Sequence, residues 1–266
     1  MSRENIADAS KPNAGRIYDY VLGGSHNFEV DRQAAEHIIK LLPFIPKYAR
    51  LQRWTLQNIA AELTEKRGYN VIVDFASGLP TEDHIHYNVP EGTIVIYSDY
   101  DPITVEYAHE ILGDTPNVYY FEADATEPEK LLNNPQVKSL LTDDKKVAFV
   151  LWGVSAFINN DGLIHAVRYL HDWSGPDSCL VFNVQSLNRD DPTSQKFVEY
   201  YRSIGIPLHI RTSEECLDIV HPWQLDGDDF ISLIDWHDFG QDELAEEDIH
   251  SFGPMGGGSG GYLIKA

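Results

Sequence analysis

Three carboxylates recur at even spacing: Asp74, Asp99 and Asp124 stand 25 residues apart, in the apolar runs NVIVDF, TIVIYSD and VYYFEAD. Residues that turn the chain follow each of them. After Asp74 come Ala76, Ser77 and Gly78, after Asp99 come Tyr100 and the Asp101-Pro102 pair, and after Asp124 comes Ala125. Groups so placed can hold an adenine nucleoside. Gly78 lets the backbone approach a ligand closely. Asp99 can accept both ribose hydroxyls, and Asp124, with Ala125 beside it, can accept from the exocyclic amine of adenine, as acids do on bases. Any one of these acids could equally cap a helix; the ordered set of three points to a nucleoside.

The loop FASGLPT narrows the choice of nucleoside. A dinucleotide site uses G-x-G-x-x-G, so that a pyrophosphate can rest on a helix N-terminus. Here the loop has one glycine and a proline, and there is no P-loop lysine. A cofactor without phosphates fits, with S-adenosyl-L-methionine the candidate. An NAD-dependent oxidoreductase would need an atypical loop.

These acids require a frame. Residues 14–68 read as helical: GRIYDYVLGG ends in paired glycines, DRQAAEHIIKLL follows, and in PKYARLQRWTLQNIAAELTEKRG the residues Leu51, Trp54 or Thr55, Ile59 and Leu63 recur near the helical period. Gly68 is a natural stop. Beyond it, apolar runs alternate with helices: NVIVDF, TIVIYSD, VYYFEAD, KVAFVLW and CLVFNVQ are five candidate strands. The first is expected to pass through its loop into a helix near Pro80 and Thr81. Asp101-Pro102 and Asp191-Pro192 offer an acidic cap followed by proline. Thr126 with Glu129, and Thr212 with Glu215, have capping-box spacing. Such alternation predicts a parallel sheet covered on both faces. DFISLIDWHDF and GYLIKA, joined through GPMGGGSGG, read as a hairpin-like antiparallel pair at the sheet edge.

Charge excludes some partners. Twenty basic against forty-two acidic residues leave a formal −22, which opposes approach to nucleic acid and to anionic membranes. No apolar run approaches the roughly 20 residues of a membrane span, and the polar N-terminus lacks the apolar middle of a secretory signal. A cytoplasmic protein is expected. Residues 226–248 hold ten carboxylates and no Lys or Arg, read as a solvated acidic surface. Cys179 and Cys216 lack metal-type spacing and read as reduced structural thiols.

GRIYDYVLGGSHNFEVDRQAAE, VDFASGLPTEDHIH, IYSDYDPITVEYA, ADATEP and RTSEE resemble successive motifs of the S-adenosyl methyltransferase family, once catalogued as a domain of unknown function and abundant in actinobacteria. The resemblance runs from about Ala14 to the last strand. It implies an α/β class I methyltransferase: a Rossmann-like seven-stranded sheet, mostly parallel with an antiparallel last strand. It divides the chain into an N-terminal helical lid or extension (1–68) and a cofactor-binding domain (69–266), in one continuous structural unit. It implies S-adenosyl-L-methionine as cofactor, a small-molecule substrate, and cofactor contacts from Arg16, Tyr18, Asn27, Phe28, Asp74, Ala76, Ser77, Gly78, Asp99, Tyr100, Asp124, Ala125, Trp152 and Gly153, with Asp31 nearby. An arginine could pair with the cofactor carboxylate, and an aromatic ring could cover the sulfonium. Tyr18 and Phe28 could also be ordinary helix packing. Two departures stand out. Ala76 replaces the first glycine of an aspartate-isoleucine-glycine-serine-glycine motif, and Gly153-Val154-Ser155-Ala156 lacks the histidine that often follows the fourth strand.

Methyl transfer needs alignment and a dry cavity more than a catalytic side chain, because the cofactor carries the reactivity. A base is required only where the acceptor must lose a proton. His26, in a segment that could fold over the cofactor across a Gly23-Gly24 hinge, and His221, beside Trp223 in VHPWQ, are the catalytic candidates. His84 and His86 resemble a metal pair, but residues two apart on a helix face different ways, and no metal is expected. A second reading keeps the cofactor and drops turnover: a sensor or interaction module.

Overall fold

The computed structural model describes residues 9–81, 83–141, 143–185, 187–238 and 257–265. Three helices come first: α1 (Ala14–Leu22), α2 (Glu29–Leu41) and α3 (Ile45–Ala61), the last running on into a π-helical turn, Glu62–Lys66. Asn13 caps α1 by accepting from the Gly15 and Arg16 amides, and Gly23 closes it in the left-handed conformation. In α3 it is Thr55, fully buried, that faces inward, while Trp54 is exposed. Leu56, Ile59, Ala60 and Leu63 share that buried face and pack on the sheet, each large side chain worth at most about 1.5–3 kcal/mol.

The five expected strands form: β1 (Val71–Phe75), β2 (Ile94–Asp99), β3 (Val118–Glu122), β4 (Ala148–Leu151) and β5 (Cys179–Val184). They pair in parallel in the order β3-β2-β1-β4-β5. Every residue of β1, β4 and β5 is buried, as expected when both faces are covered. Val71, Val73 and Phe75 point to one face and Ile72 to the other. Between the strands run α4 (Pro102–Leu112), α5 (Pro128–Leu132), α6 (Pro135–Leu140), α7 (Asn160–Trp173) and, after β5, α8 (Pro192–Ser203) and α9 (Ser213–Val220). Asp191 caps α8 through the Ser194 amide, and Thr212 with Glu215 makes a reciprocal capping box on α9. Thr126 does not cap α5, which starts at Pro128 after Glu127.

Two local expectations are corrected. Among the described residues no α-helix follows the β1 loop; Ile85–Tyr87 makes a single 3-10 turn. Pro80 and Pro90 bracket the segment, and His84 is buried within it, with its ring 3.2 Å from the Ser77 carbonyl. At the other end the sheet has eight strands among the described residues, because one edge position is filled twice. β6 (Gln224–Leu225) and β7 (Ile231–Ser232) both pair antiparallel with β8 (Ser259–Ile264), which lies antiparallel against β5. β8 is thus interior, and ISLIDW turns from β7 into a short helix, α10 (Leu233–Trp236). Residues 239–248, with five of the ten carboxylates of the expected acidic surface, lie outside the described residues; Asp226 in the described part pairs with Arg67 at 2.7 Å.

A third apolar cluster lies apart from both faces of the sheet, where Ile17, Val21, Ala34, Ala35, Ile38 and Leu42 meet Phe197 and Tyr201 of α8. The N-terminal helices therefore pack against α8, above the carboxyl ends of the strands. Burial pushes the thiol of Cys179 up to about 12 and that of Cys216 up to about 11, so both are inert at neutral pH. No helix among the described residues is long and apolar enough to cross a membrane.

Candidate active site

A cavity of about 1380 Å³ opens where the carboxyl ends of the parallel strands face the N-terminal helices. Strand register builds its floor. Phe75 sits beside Ser98, and Asp99 beside Glu122, so the ends of β1, β2 and β3 are level and their following loops form one rim. Asp74, Ala76, Ser77, Gly78, Asp99, Tyr100, Asp124 and Ala125 all line the cavity. These residues, spread over fifty positions of sequence, are thereby brought together.

The β1 loop is tied down by its neighbours. The Ser77 amide donates to the Ser98 carbonyl at 2.9 Å, and the Tyr120 hydroxyl donates to the Gly78 carbonyl at 2.7 Å. Ala76 holds φ at +51° and Gly78 at +64°. This is the physical content of a glycine at the first position, because the left-handed region costs an alanine roughly 1 kcal/mol or more. Asp99 is buried and accepts from two backbone amides, Gly78 at 3.2 Å on Oδ2 and Asp101 at 3.0 Å on Oδ1. Burial nonetheless pushes its carboxyl up to about 6. Asp74 is raised well above the ordinary carboxylate range, again by burial, with the Arg53 charge opposing. Asp124 is exposed and uses Oδ1 to accept from the amide and hydroxyl of Thr126, both at 2.8 Å.

The far side of the cavity is helical. Tyr18 lines it, its hydroxyl donating to the Ala49 carbonyl at 3.0 Å. Trp152 and Gly153 line it from the end of β4. The Trp152 indole donates to the Gln52 carbonyl at 3.1 Å, and the Gly153 amide to Asn183 Oδ1 at 2.8 Å. Away from the strand-end acids, Val21, Leu42, Phe44, Ile45, Phe197, Leu208 and Ile210, with Phe157 of the 3-10 turn after β4, make an apolar part of the wall, beside which Asn188, Arg189, Asp191 and Arg211 add polar groups near α8.

Other expected site residues stand elsewhere. Arg16 is buried outside the cavity wall. Its guanidinium donates to Asp31 at 2.8 Å, Asp101 at 2.7 Å and the Lys11 carbonyl at 2.9 Å, and it stands 5.2 Å from the Phe28 ring centroid. Phe28 and Asn27 are likewise absent from the lining; the Asn27 amide donates to Asp19 at 2.8 Å and its oxygen accepts from Arg32 at 3.1 Å. These groups brace the helices behind the wall. Neither histidine candidate reaches the cavity. His26 packs edge-on to Tyr107 at 5.1 Å, and His221 is an exposed residue ending α9. Its neighbour Trp223 is core, its indole donating to the Val167 carbonyl at 2.8 Å, and is not part of an acceptor pocket.

His84 does line the cavity, but its Nδ1 accepts from the Ile85 amide at 2.9 Å while Nε2 faces the Ser77 carbonyl at 3.2 Å. That pairing fixes a neutral Nε2–H tautomer, and burial holds the imidazole well below its usual range, so His84 braces the loop. Sequence reading missed Gln52 and Arg53. The signal was available: two polar residues sit on the buried face of α3, in step with Ala49, Leu56 and Ile59, where apolar residues are expected.

A family model of S-adenosyl methyltransferases matches residues 2–258. Among solved structures, a candidate methyltransferase from Thermobifida fusca is 26% identical with a TM-score of 0.86, covering 100% of this chain and 99% of its own. A DUF574 family protein from Streptomyces avermitilis is 22% identical, with a TM-score of 0.83 over 98% of this chain and 100% of its own. Human N-acetylserotonin methyltransferase in complex with S-adenosylmethionine shares the fold at 12% identity and a TM-score of 0.50, over 98% of this chain and 65% of its own. Among curated proteins, nothing matches the chain. These findings lend no support to an NAD-dependent oxidoreductase or to a binder without turnover. The level strand ends, the glycine loop beneath them and a family match over nearly the whole length agree: the chain belongs to the S-adenosyl methyltransferase family, and is an S-adenosylmethionine-dependent methyltransferase of the class I fold.

Proposed function

We propose that the enzyme methylates a small, largely apolar acceptor held in the arm of the cavity between α1, α8 and the α2–α3 connection. The observation that carries this is the shape and lining of the single space: at about 1380 Å³ it exceeds the roughly 300–1000 Å³ of a site for one drug-sized ligand. Its acidic end suits the nucleoside and its apolar end an acceptor.

In this reading Asp99 accepts the ribose hydroxyls, Asp124 and Ala125 meet the adenine edge with Tyr100 over it, and Ala76, Ser77 and Gly78 bring backbone close to the cofactor. Tyr18, Trp152 and Gly153 surround the sulfonium. Catalysis is alignment and exclusion of water, which agrees with a lining whose one histidine among the described residues is a neutral loop brace. Residues 1–68 act as an extension that closes the cavity over a cofactor-binding unit of residues 69–266, with α3 anchoring it to the sheet. The −22 formal charge argues against nucleic acid as acceptor and agrees with a cytoplasmic protein.

The test is transfer of labelled methyl from S-adenosylmethionine to an acceptor panel. Label should pass to planar apolar compounds carrying a hydroxyl or amine. Transfer confined to nucleic acid or to strongly polar metabolites would overturn the proposal.

A further inference from the structure

Among the described residues, three arginines are buried: Arg16, Arg53 and Arg211. Two of them are fully engaged. Arg16 donates to Asp31, Asp101 and Lys11. Arg211 donates to Asn160 and to the carbonyls of Ser155 and Ile158, at 2.6–2.9 Å, and so holds the 3-10 turn Ser155–Phe157 in place. Arg53 is different. It is 6% exposed and lines the cavity, yet its Nε has no hydrogen-bond partner. Its nearest carboxylate, Asp83, stands 3.7 Å away, too far for a hydrogen bond, and Asp83 already accepts from the Thr81 hydroxyl at 2.7 Å. The guanidinium also stands 5.6 Å from the centroid of the Tyr18 ring.

The Tyr18 hydroxyl leans on this guanidinium, and a buried Nε left without an acceptor is costly; such a fork is normally completed by a planar anion that takes two of its donors at once. Arg53 therefore describes its ligand: a carboxylate entering from the cavity. Two carboxylates could arrive there, that of the cofactor or that of an acceptor. Position favours the cofactor. The charge of Arg53 acts directly on Asp74 at the end of β1 and on His84 behind the Ser77–Gly78 loop. The acids suited to ribose and adenine lie farther along the rim, on β2 and β3. A nucleoside laid over Asp99 and Asp124 brings its amino-acid end back to β1. Asp74 stands there as a buried acid on which the Arg53 charge and the neutral His84 ring bear, and it is matched to the ammonium of the same amino acid.

We infer that Arg53, rather than Arg16, is the residue that binds the α-carboxylate of S-adenosylmethionine and thereby fixes the methionine end of the cofactor. The inference rests on the cofactor assignment above and adds to it the residue that distinguishes the whole cofactor from its nucleoside half. Lysine cannot replace it fully, because an ammonium lacks the planar fork.

The experiment is calorimetric titration of wild type, Arg53→Gln and Arg53→Lys with two ligands: S-adenosylhomocysteine, and 5′-methylthioadenosine, which lacks the amino-acid end. Arg53→Gln should weaken S-adenosylhomocysteine by roughly ten- to a hundredfold, as expected for a charge-assisted bond, and leave 5′-methylthioadenosine within about twofold. Arg53→Lys should fall between. A third ligand, the decarboxylated analogue of S-adenosylhomocysteine, tests wild type alone and so does not depend on any variant folding; it should bind at least tenfold more weakly than its parent. Equal loss of both ligands in Arg53→Gln, unchanged S-adenosylhomocysteine affinity, or equal wild-type affinity for the decarboxylated analogue would each overturn the inference. Failure of wild type to bind either nucleoside would remove the cofactor assignment itself, and the inference with it.

Discussion

Asp99 offers a prediction in which affinity and pH can be worked together. Its carboxyl is pushed up to about 6 from an ordinary 3.8, with burial the largest cause and the amides of Gly78 and Asp101 opposing. A rise of about two units corresponds to roughly 3 kcal/mol. The folded state binds this proton more tightly than the unfolded chain does. The stabilisation is therefore complete below about pH 4 and lost as pH rises through 6, so the apo protein is weaker at pH 7 by about that amount through this group. Ribose hydroxyls donate to the ionised form. Cofactor affinity should thus be flat above pH 7 and fall through Asp99 by about tenfold at pH 5.

Asp99→Asn removes this titration at nearly constant shape. Neutral acceptance replaces charge-assisted acceptance, a loss of about 1–2 kcal/mol, so the variant should bind S-adenosylhomocysteine roughly tenfold more weakly at pH 8. At pH 5 the two proteins should nearly converge. Relief of the buried charge and loss of one backbone acceptor offset each other, which keeps the variant folded. His86, lowered to about 4, and His84, lowered well below its usual range, both by burial, stay neutral across this window. Asp74 is present in both proteins, but the Asp99 charge helps to raise its carboxyl, so the difference between their curves reports Asp99 together with its effect on Asp74. Calorimetry at pH 5, 6, 7 and 8 reads it. A gap that is absent at pH 8, or that stays constant down to pH 5, would refute the reasoning.

Three other outcomes are expected. Asp124→Leu should nearly abolish S-adenosylhomocysteine binding and cost about 1 kcal/mol through the lost bonds to Thr126, while Asp124→Asn should bind at an intermediate level; wild-type affinity in both would leave Asp124 as a turn cap only. Ala76→Gly relieves an alanine held at φ +51° and should raise apo stability by about 1 kcal/mol in urea denaturation, an expectation that an unchanged midpoint would contradict. Amide exchange over residues 14–32 should slow sharply on adding S-adenosylhomocysteine if the N-terminal helices close the cavity; identical exchange with and without ligand would mean a fixed wall.

Much of this site is written locally in the sequence, and the rest depends on tertiary placement. The runs ending near Asp74, Asp99 and Asp124 announced both the strands and the rim, because buried parallel strands are nearly continuous apolar runs and their ends carry the polar chemistry. Arg16 shows the limit. Its motif marks it as special, yet only the structure shows Asp31 and Asp101 closing around it. Arg53 shows the converse, a buried cavity-lining cation hidden inside a helix that reads as ordinary packing. Trp54 and Thr55 were equivalent by period, and the side of α3 facing the sheet chose Thr55. The antiparallel pairing of β7 with β8 was legible as a hairpin-like pair, whereas β6 was not, because a strand of two residues carries no period to read. His26 and His221 lie outside the cavity lining, a placement that residue type alone does not give.

The central claim is that one cavity holds the cofactor along its acidic rim and presents the methyl group to an apolar arm. A crystal structure with S-adenosylhomocysteine bound tests it most directly. The account predicts both ribose hydroxyls within hydrogen-bond distance of Asp99, the adenine amine at Asp124, and the sulfur facing the space between Tyr18 and Trp152. Adenine seated in the apolar arm against Phe44 and Phe197, or a ligand bound away from the ends of β1, β2 and β3, would contradict it.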